Sequence, residues 1–68
     1  MKFTNLLVEM TRAGLTQKEL SARVKIRPET LSKKIAGKTE FTLRECREIR
    51  DVINPELKLE YLFKIEAA

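Results

Sequence analysis

The segment from Arg23 to Lys38 concentrates side chains that bind anions. It contains six basic residues and one acidic residue, Glu29, so it carries a charge of +5, whereas the whole chain carries +4. The basic residues are Arg23, Lys25, Arg27, Lys33, Lys34 and Lys38. Such side chains neutralise phosphates and can donate to guanine N7 and O6, while a carboxylate can accept from cytosine N4. The segment has the chemistry of a surface that holds a polyanion; an ordinary solvated helix face is the alternative.

The rest of the chain offers little chemistry for catalysis. It has no histidine, no glycine-rich phosphate loop and no metal-ligand spacing, and its one cysteine is Cys46. Cys46 falls within an apolar helical pattern, so we expect a small core residue rather than a nucleophile. We therefore expect a protein that is not an enzyme and that needs no cofactor, metal or small-molecule ligand.

The size of the chain limits it to one small domain. Its 68 residues, 43% of them apolar, predict a single domain over residues 1–68 with one modest core. A core of this size is marginally stable alone, so tight helix packing or dimerisation is expected. No apolar run approaches the ~20 residues of a membrane span, and the N-terminal segment lacks the features of a signal peptide. We expect a cytoplasmic protein with no membrane partner.

Apolar residues at three- and four-residue spacing predict four helices. Their expected bounds are about 4–13, 16–24, 28–36 and 42–54. The second and the fourth begin with the T-x-x-E pattern of a capping box, at Thr16 with Glu19 and at Thr42 with Glu45. The inward stripe of the fourth consists of Leu43, Cys46, Ile49, Val52 and Ile53. Its arginines alternate with acids, which indicates a solvated, ion-paired face.

The second and third helices are joined by a tight turn. Lys25 and Ile26 form this turn, with Ile26 as an apolar plug beneath it. Pro28 fits the first position of the third helix, where its missing N–H is not needed. Leu31 and Ile35 are four residues apart and point inward together. This order of elements is typical of a helix-turn-helix.

The C-terminal segment supports two interpretations. Its apolar residues, Leu57, Leu59, Tyr61, Phe63 and Ile65, alternate with mostly polar ones, which is a strand-like period. Leu59, Leu62 and Phe63 also fit a short helix at about 57–63, which we favour. The other interpretation is an extended arm that pairs with its copy on a second subunit.

The stretch from Leu15 to Ile53 resembles the Cro and repressor type of helix-turn-helix domain of phage and bacterial regulators. The matching features are Gly14-Leu15-Thr16-Gln17, Glu19-Leu20-Ser21, Val24, Ile26, Thr30-Leu31-Ser32, Gly37-Lys38 and the fourth helix. The resemblance implies an all-α, compact, lambda-repressor-like fold of four to five helices. Lys25 departs from it, because the family usually has a left-handed glycine there. Lys34 departs too, because Ile35 takes the inward role of that position, which implies a rolled third helix.

The same resemblance implies roles for individual residues. The residues that it implies contact base edges are Arg27, Pro28, Glu29, Thr30, Ser32 and Lys33. The residues that it implies contact phosphates are Thr16, Gln17, Lys34, Lys38 and Thr39. Pro28 can offer only an apolar contact, so we expect Arg27, Glu29 and Lys33 to make the hydrogen bonds to bases. For Glu29 the alternative role is a first-turn acid that serves only the helix dipole.

The function that the resemblance implies is sequence-specific regulation of transcription on double-stranded DNA. The expected protein is a phage-type repressor that acts as a homodimer on a pseudo-palindromic operator. Candidates for the dimer contact are Leu59, Tyr61, Phe63 and Ile65. An antitoxin, or another protein-interaction module built on the same fold, is the alternative.

Overall fold

Five helices make up the structure, a computed structural model that describes residues 3–65. They are α1 (Thr4–Arg12), α2 (Gln17–Val24), α3 (Pro28–Ile35), α4 (Leu43–Ile53) and α5 (Leu59–Leu62). No strand occurs in these residues, so the all-α prediction is confirmed. The first four helices begin and end within one residue of their predicted bounds.

The C-terminal segment forms a helix that is shorter than predicted. It begins at Leu59 rather than at Leu57, which lies in a turn where its N–H donates to the carbonyl of Asn54 (3.1 Å). The extended-arm interpretation is wrong for residues 59–62, because the helical turn places Leu62 fully inside the core. An alternating pattern of five apolar residues was compatible with both structures.

All five helices contribute to one core. Its buried side chains are Leu6, Met10, Leu20, Val24, Leu31, Ile35, Ile49 and Leu62. Helix α2 packs closely against α3 and α4, while α5 packs against α1 and α4. The molecule measures 29 × 26 × 21 Å along its principal axes. Within residues 3–65, none of the helices combines the length and the apolar character that crossing a bilayer requires.

Of the predicted α4 stripe only Ile49 is fully buried, whereas Val52 and Ile53 are half-buried and two further residues are less buried than expected. Leu43 is 60% exposed, because it is the first residue of α4 and lies ahead of the turn that reaches the core. Cys46 is only half-buried. Burial raises the pKa of the Cys46 thiol, and the neighbouring charge of Glu45 raises it further. The thiol is therefore protonated at neutral pH and weakly nucleophilic.

Both predicted capping boxes are present. The hydroxyl of Thr16 accepts from the Glu19 N–H (3.1 Å), and the Glu19 carboxylate accepts from the Thr16 N–H (3.1 Å). Thr42 and Glu45 form the same reciprocal pair at 3.1 and 2.9 Å. Backbone and side-chain hydrogen bonds from Thr16 lower the pKa of Glu19. The starts of α2 and α4 are thus defined by contacts within three residues, which is why the sequence shows them.

An ion pair ties α3 to α4. The ammonium of Lys34 donates to Oε1 of Glu45, and both side chains are largely buried, at 13% and 20% exposure. Burial by itself raises the pKa of Glu45, but hydrogen bonds from Lys34 and from the Thr42 N–H outweigh it and leave the pKa below its ordinary value of 4.5. The folded protein therefore prefers the charged form of Glu45.

Helix α5 is fastened to α1 by polar contacts. The hydroxyl of Tyr61 donates to Oε2 of Glu9 (2.8 Å), and the amide of Asn5 donates to the Tyr61 carbonyl (2.9 Å). Glu9 is 7% exposed, and Arg12 lies 3.5 Å from the same oxygen. These contacts satisfy a carboxylate that would otherwise be buried at high cost.

The turn between α2 and α3 keeps the left-handed conformation that the family assigns to glycine. Lys25 has φ 57° and ψ 37°. Across it the N–H of Ile26 donates to the Ser21 carbonyl (3.1 Å), which closes the end of α2. Lys25 therefore adopts the backbone conformation expected of a glycine at this position, and the chain bears the steric strain of a side chain in the left-handed region.

Replacing Lys25 by glycine tests this strain. We expect Lys25→Gly to raise the free energy of unfolding by about 0.5–1 kcal/mol, since glycine adopts a positive φ without a steric cost. Urea denaturation measures the change. The matched control is Lys25→Ala, which also removes the charge but keeps the Cβ, and it should not stabilise the fold. Equal stabilities of the two variants would show that the turn is unstrained.

The pH dependence of stability tests the Lys34–Glu45 pair. Because the folded pKa of Glu45 lies below 4.5, its charged form stabilises the protein above about pH 4.5, and this contribution is lost as the pH falls through the folded pKa. We expect Glu45→Gln to flatten the fall in unfolding free energy between about pH 5 and pH 3, as measured by urea denaturation. Glu48→Gln, on the exposed face of α4, is the control. Identical slopes for wild type and Glu45→Gln would contradict the pair's contribution.

Candidate nucleic-acid interface

Helices α2 and α3, with the turn between them, form the framework of the candidate site. Ser21 is 3% exposed, and its small side chain allows α3 to pack closely on α2. Its hydroxyl donates to the Lys18 carbonyl (2.7 Å), so no polar atom is left unsatisfied there. Ile26 packs partly into the core, as predicted for the plug of the turn.

Helix α3 presents one face to the core and the opposite face to solvent. Leu31 and Ile35 are 0% and 6% exposed. Thr30 and Lys34 are half-buried at the edges of this face. Exposed side chains cover the rest of the helix and its start: Arg27, Pro28, Glu29, Ser32 and Lys33. A helix with side chains is about 10–12 Å across, which fits the ~12 Å width of the major groove of B-DNA.

Five of the six predicted base-reading residues are exposed. Lys33 lies opposite the inward face of α3, and Glu29 lies one turn before it on the same side. Arg27 is the N-cap residue, placed at the tip of the helix. Within residues 3–65, neither Arg27 nor Glu29 takes part in an ion pair within 4 Å. Thr30 is half-buried and is the least accessible of the six.

Four of the five predicted phosphate contacts lie at two places, the start of α2 and the loop after α3. Gln17 begins α2 and is half-buried, after the exposed Thr16 whose hydroxyl oxygen caps the helix. The first-turn N–H groups of a helix lack intrahelical partners and favour a phosphate. Lys38 and Thr39 are exposed in the loop after α3. The structure therefore places these four residues at the start of α2 and just beyond the end of α3.

Lys34 differs from the other predicted phosphate contacts. Its side chain is directed at Glu45 and is 13% exposed, whereas Lys33 and Lys38 are exposed. The sequence contained one sign of this, since Lys34 adjoins Ile35 on the inward side of the helix. It did not identify the partner, because Glu45 lies eleven residues further along the chain.

The exposed positive charge is concentrated around the turn and α3. We call Arg23, Lys25, Arg27, Lys33 and Lys38 the basic surface; all five are exposed. In the described part of the chain, none of them forms an ion pair within 4 Å. Helix α4 differs, because Arg44 lies 3.9 Å from Glu48 and Arg50 lies 3.0 Å from Asp51. The predicted ion-paired character of the α4 face is thereby confirmed for these two arginines but not for Arg47, which forms no ion pair within 4 Å in residues 3–65.

The dimerisation candidates fall into two groups. Tyr61 and Ile65 are 39% and 46% exposed, while Leu59 is half-buried. Phe63 lies instead in an aromatic cluster with Phe3 and Phe41, where the ring centroids are 5.2 to 6.0 Å apart and the rings meet edge to face. Phe63 therefore packs within its own chain.

One further exposed apolar residue, on α1, was not predicted from the sequence. Val8 is 40% exposed and lies on α1 between Asn5 and Glu9, the two residues that contact Tyr61. Its position off the stripe of Phe3, Leu6, Leu7 and Met10 was the available signal.

Comparison with known proteins assigns the family. The profile of the helix-turn-helix family, of the Cro/C1 type, matches residues 9–62 of the chain. No curated protein and no solved structure matches the chain significantly. The matched residues include α2, the turn, α3 and α4 in full. The chain therefore belongs to the Cro/C1-type helix-turn-helix family of DNA-binding transcription regulators.

Proposed function

We propose that the protein is a phage-type repressor that binds a pseudo-palindromic operator as a homodimer, with α3 of each subunit in the major groove. One observation carries this proposal: the exposed face of α3 holds Glu29 and Lys33 within a basic surface that has no ion-pair partner in residues 3–65. Exposed basic side chains neutralise phosphates, and a helix face of this width reaches base edges.

The two kinds of contact divide between different residues. Lys38, Thr39 and the start of α2 hold the DNA backbone, which sets the orientation of the domain but reads no sequence. Lys33 and Arg27 donate to guanine. Glu29 accepts from cytosine N4, since a carboxylate on a basic surface repels phosphates and weakens binding to every sequence unless it reads a base.

The dimensions of the molecule suit a dimer on adjacent turns of DNA. Two domains that each measure 29 × 26 × 21 Å are small enough to lie side by side on DNA with their α3 helices ~34 Å apart, the length of one DNA turn. The candidates for the dimer contact are the exposed apolar residues Val8 on α1, Tyr61 on α5 and Ile65, which follows α5 near the α3–α4 loop. Such a dimer covers a promoter and excludes polymerase sterically, which accounts for repression.

Selection of bound duplexes from a random DNA pool tests the function. We expect an enriched sequence with two related half-sites, about 10 base pairs apart from centre to centre. We also expect the affinity to fall roughly a thousandfold from about 50 to about 200 mM salt, given six or so phosphate contacts per dimer. No enrichment together with capture of a protein partner would favour the alternative function, an antitoxin or interaction module.

Two substitutions test which residues contact phosphates and which read bases. Lys38→Ala should weaken binding to all duplexes alike and reduce the slope of log affinity against log salt by about 1 per subunit. Glu29→Ala should relax the preference at one base position by about 1–3 kcal/mol. Competition binding with single-base variants of the selected site measures both. An unchanged base preference in Glu29→Ala would show that Glu29 only serves the helix dipole.

A charge placed at Ile65, one of the candidates for the dimer contact, tests the dimer. We expect Ile65→Lys to raise the dimer dissociation constant at least tenfold, about 1.4 kcal/mol, because the lysine must be desolvated in the contact. Leu43→Lys, at another exposed apolar residue, is the matched control. Sedimentation equilibrium without DNA measures both constants. An unaffected constant in Ile65→Lys would place the dimer contact elsewhere.

A further inference from the structure

Lys34 is the one cation of the Arg23–Lys38 segment that the structure turns away from solvent. The other five basic residues of the segment are exposed, whereas the Lys34 side chain is 13% exposed and donates to Glu45. A lysine held in this way has already exchanged much of its hydration for one carboxylate. A phosphate would have to displace that carboxylate in order to bind it.

The partner of Lys34 also has a second role. Oε1 of Glu45 accepts from the Lys34 ammonium and, at 2.9 Å, from the backbone N–H of Thr42. One oxygen thus joins the last turn of α3 to the start of α4. The loop between them carries Lys38 and Thr39, the proposed phosphate contacts. The Lys34–Glu45 pair therefore connects the two ends of this loop.

The Lys34–Glu45 pair also restricts the rotation of α3 about its own axis. The close packing of α3 is with α2, through a face that contains Leu31 and Ile35. Lys34 stands beside this face, and its contact with α4 opposes rotation of α3 on α2. A rotation of about 30° moves a side chain ~6 Å from the helix axis by about 3 Å. Such a displacement exceeds what a hydrogen bond to a base edge tolerates.

We propose that Glu45 and Lys34 are a pair of positioning residues that set the rotation of α3, and thereby the sequence specificity of DNA binding, without contacting DNA. This inference rests on the proposed function, since it assigns the orientation of the same recognition helix. It replaces the role of Lys34 as a phosphate contact. It also gives a function to Lys34, one of the two lysines at which this chain departs from the family pattern.

Glu45→Gln separates positioning from charge. Glutamine can still accept from the Thr42 N–H, but it leaves Lys34 without a carboxylate. We expect the ratio of affinities for the selected duplex and for a scrambled duplex of equal length to fall about tenfold. Affinity for the scrambled duplex should stay within a factor of about two to three of that of Glu48→Gln, which removes the same charge from α4. Because both affinities come from one preparation, the ratio does not depend on the fraction of folded protein.

Lys34→Met distinguishes positioning from phosphate contact. A positioning lysine predicts a similar loss of the affinity ratio with an unchanged salt slope on the scrambled duplex. A phosphate contact predicts the reverse, namely a slope reduced by about 1 per subunit and a retained ratio. The double variant Lys34→Met/Glu45→Gln should lose no more of the ratio than either single variant, since both break one interaction.

The outcomes separate this inference from the function on which it rests. If wild type selects a sequence but Glu45→Gln keeps the wild-type affinity ratio, the positioning role is wrong and the proposed function stands. A reduced salt slope in Lys34→Met with a retained ratio likewise overturns it, in favour of a phosphate contact. If wild type selects no sequence, both proposals fail together.

Discussion

The packing of α3 on α2 is the interaction on which the rest of the structure depends. Helix α3 has eight residues and no side-chain N-cap, and a helix this short is unstable in water by itself. It is held because Leu31 and Ile35 enter the core formed with Leu20 and Val24. Each such burial contributes about 1.5–3 kcal/mol. The same burial decides which residues of α3 face outward, so the stability of the domain and the presentation of its DNA-reading face follow from one contact.

The exposed charged residues also differ between α3 and α4. Around α3 the exposed basic residues lack ion-pair partners within residues 3–65, whereas on α4 Arg44 and Arg50 are paired with acids. Among the described residues, unpaired positive charge is therefore present where DNA is proposed to bind, whereas two of the three arginines of α4 are paired with acids. Lys34 belongs to the first group by sequence and to the second by structure, because its position beside Ile35 directs it toward Glu45. A net charge of +4 conceals this difference.

Local signals in the sequence predicted most of the fold. The capping boxes at Thr16 and Thr42 involve atoms three residues apart, so their pattern can be recognised in the chain itself. Which side of α3 faces solvent followed likewise from the helical period. The contact of Lys34 with Glu45 spans eleven residues and a loop, so it depends on tertiary packing. Leu43 matched the period of α4 but begins the helix, and a periodic pattern does not show how far the core extends.

The central claim is that the exposed face of α3 enters the major groove of DNA. Methylation interference tests it most directly, because methylation of guanine N7 alters the major groove and methylation of adenine N3 alters the minor groove. Entry of two α3 helices predicts that N7 methylation blocks binding in two clusters about 10 base pairs apart, on one side of the duplex. Interference only at adenine N3, or none at any base, would contradict it.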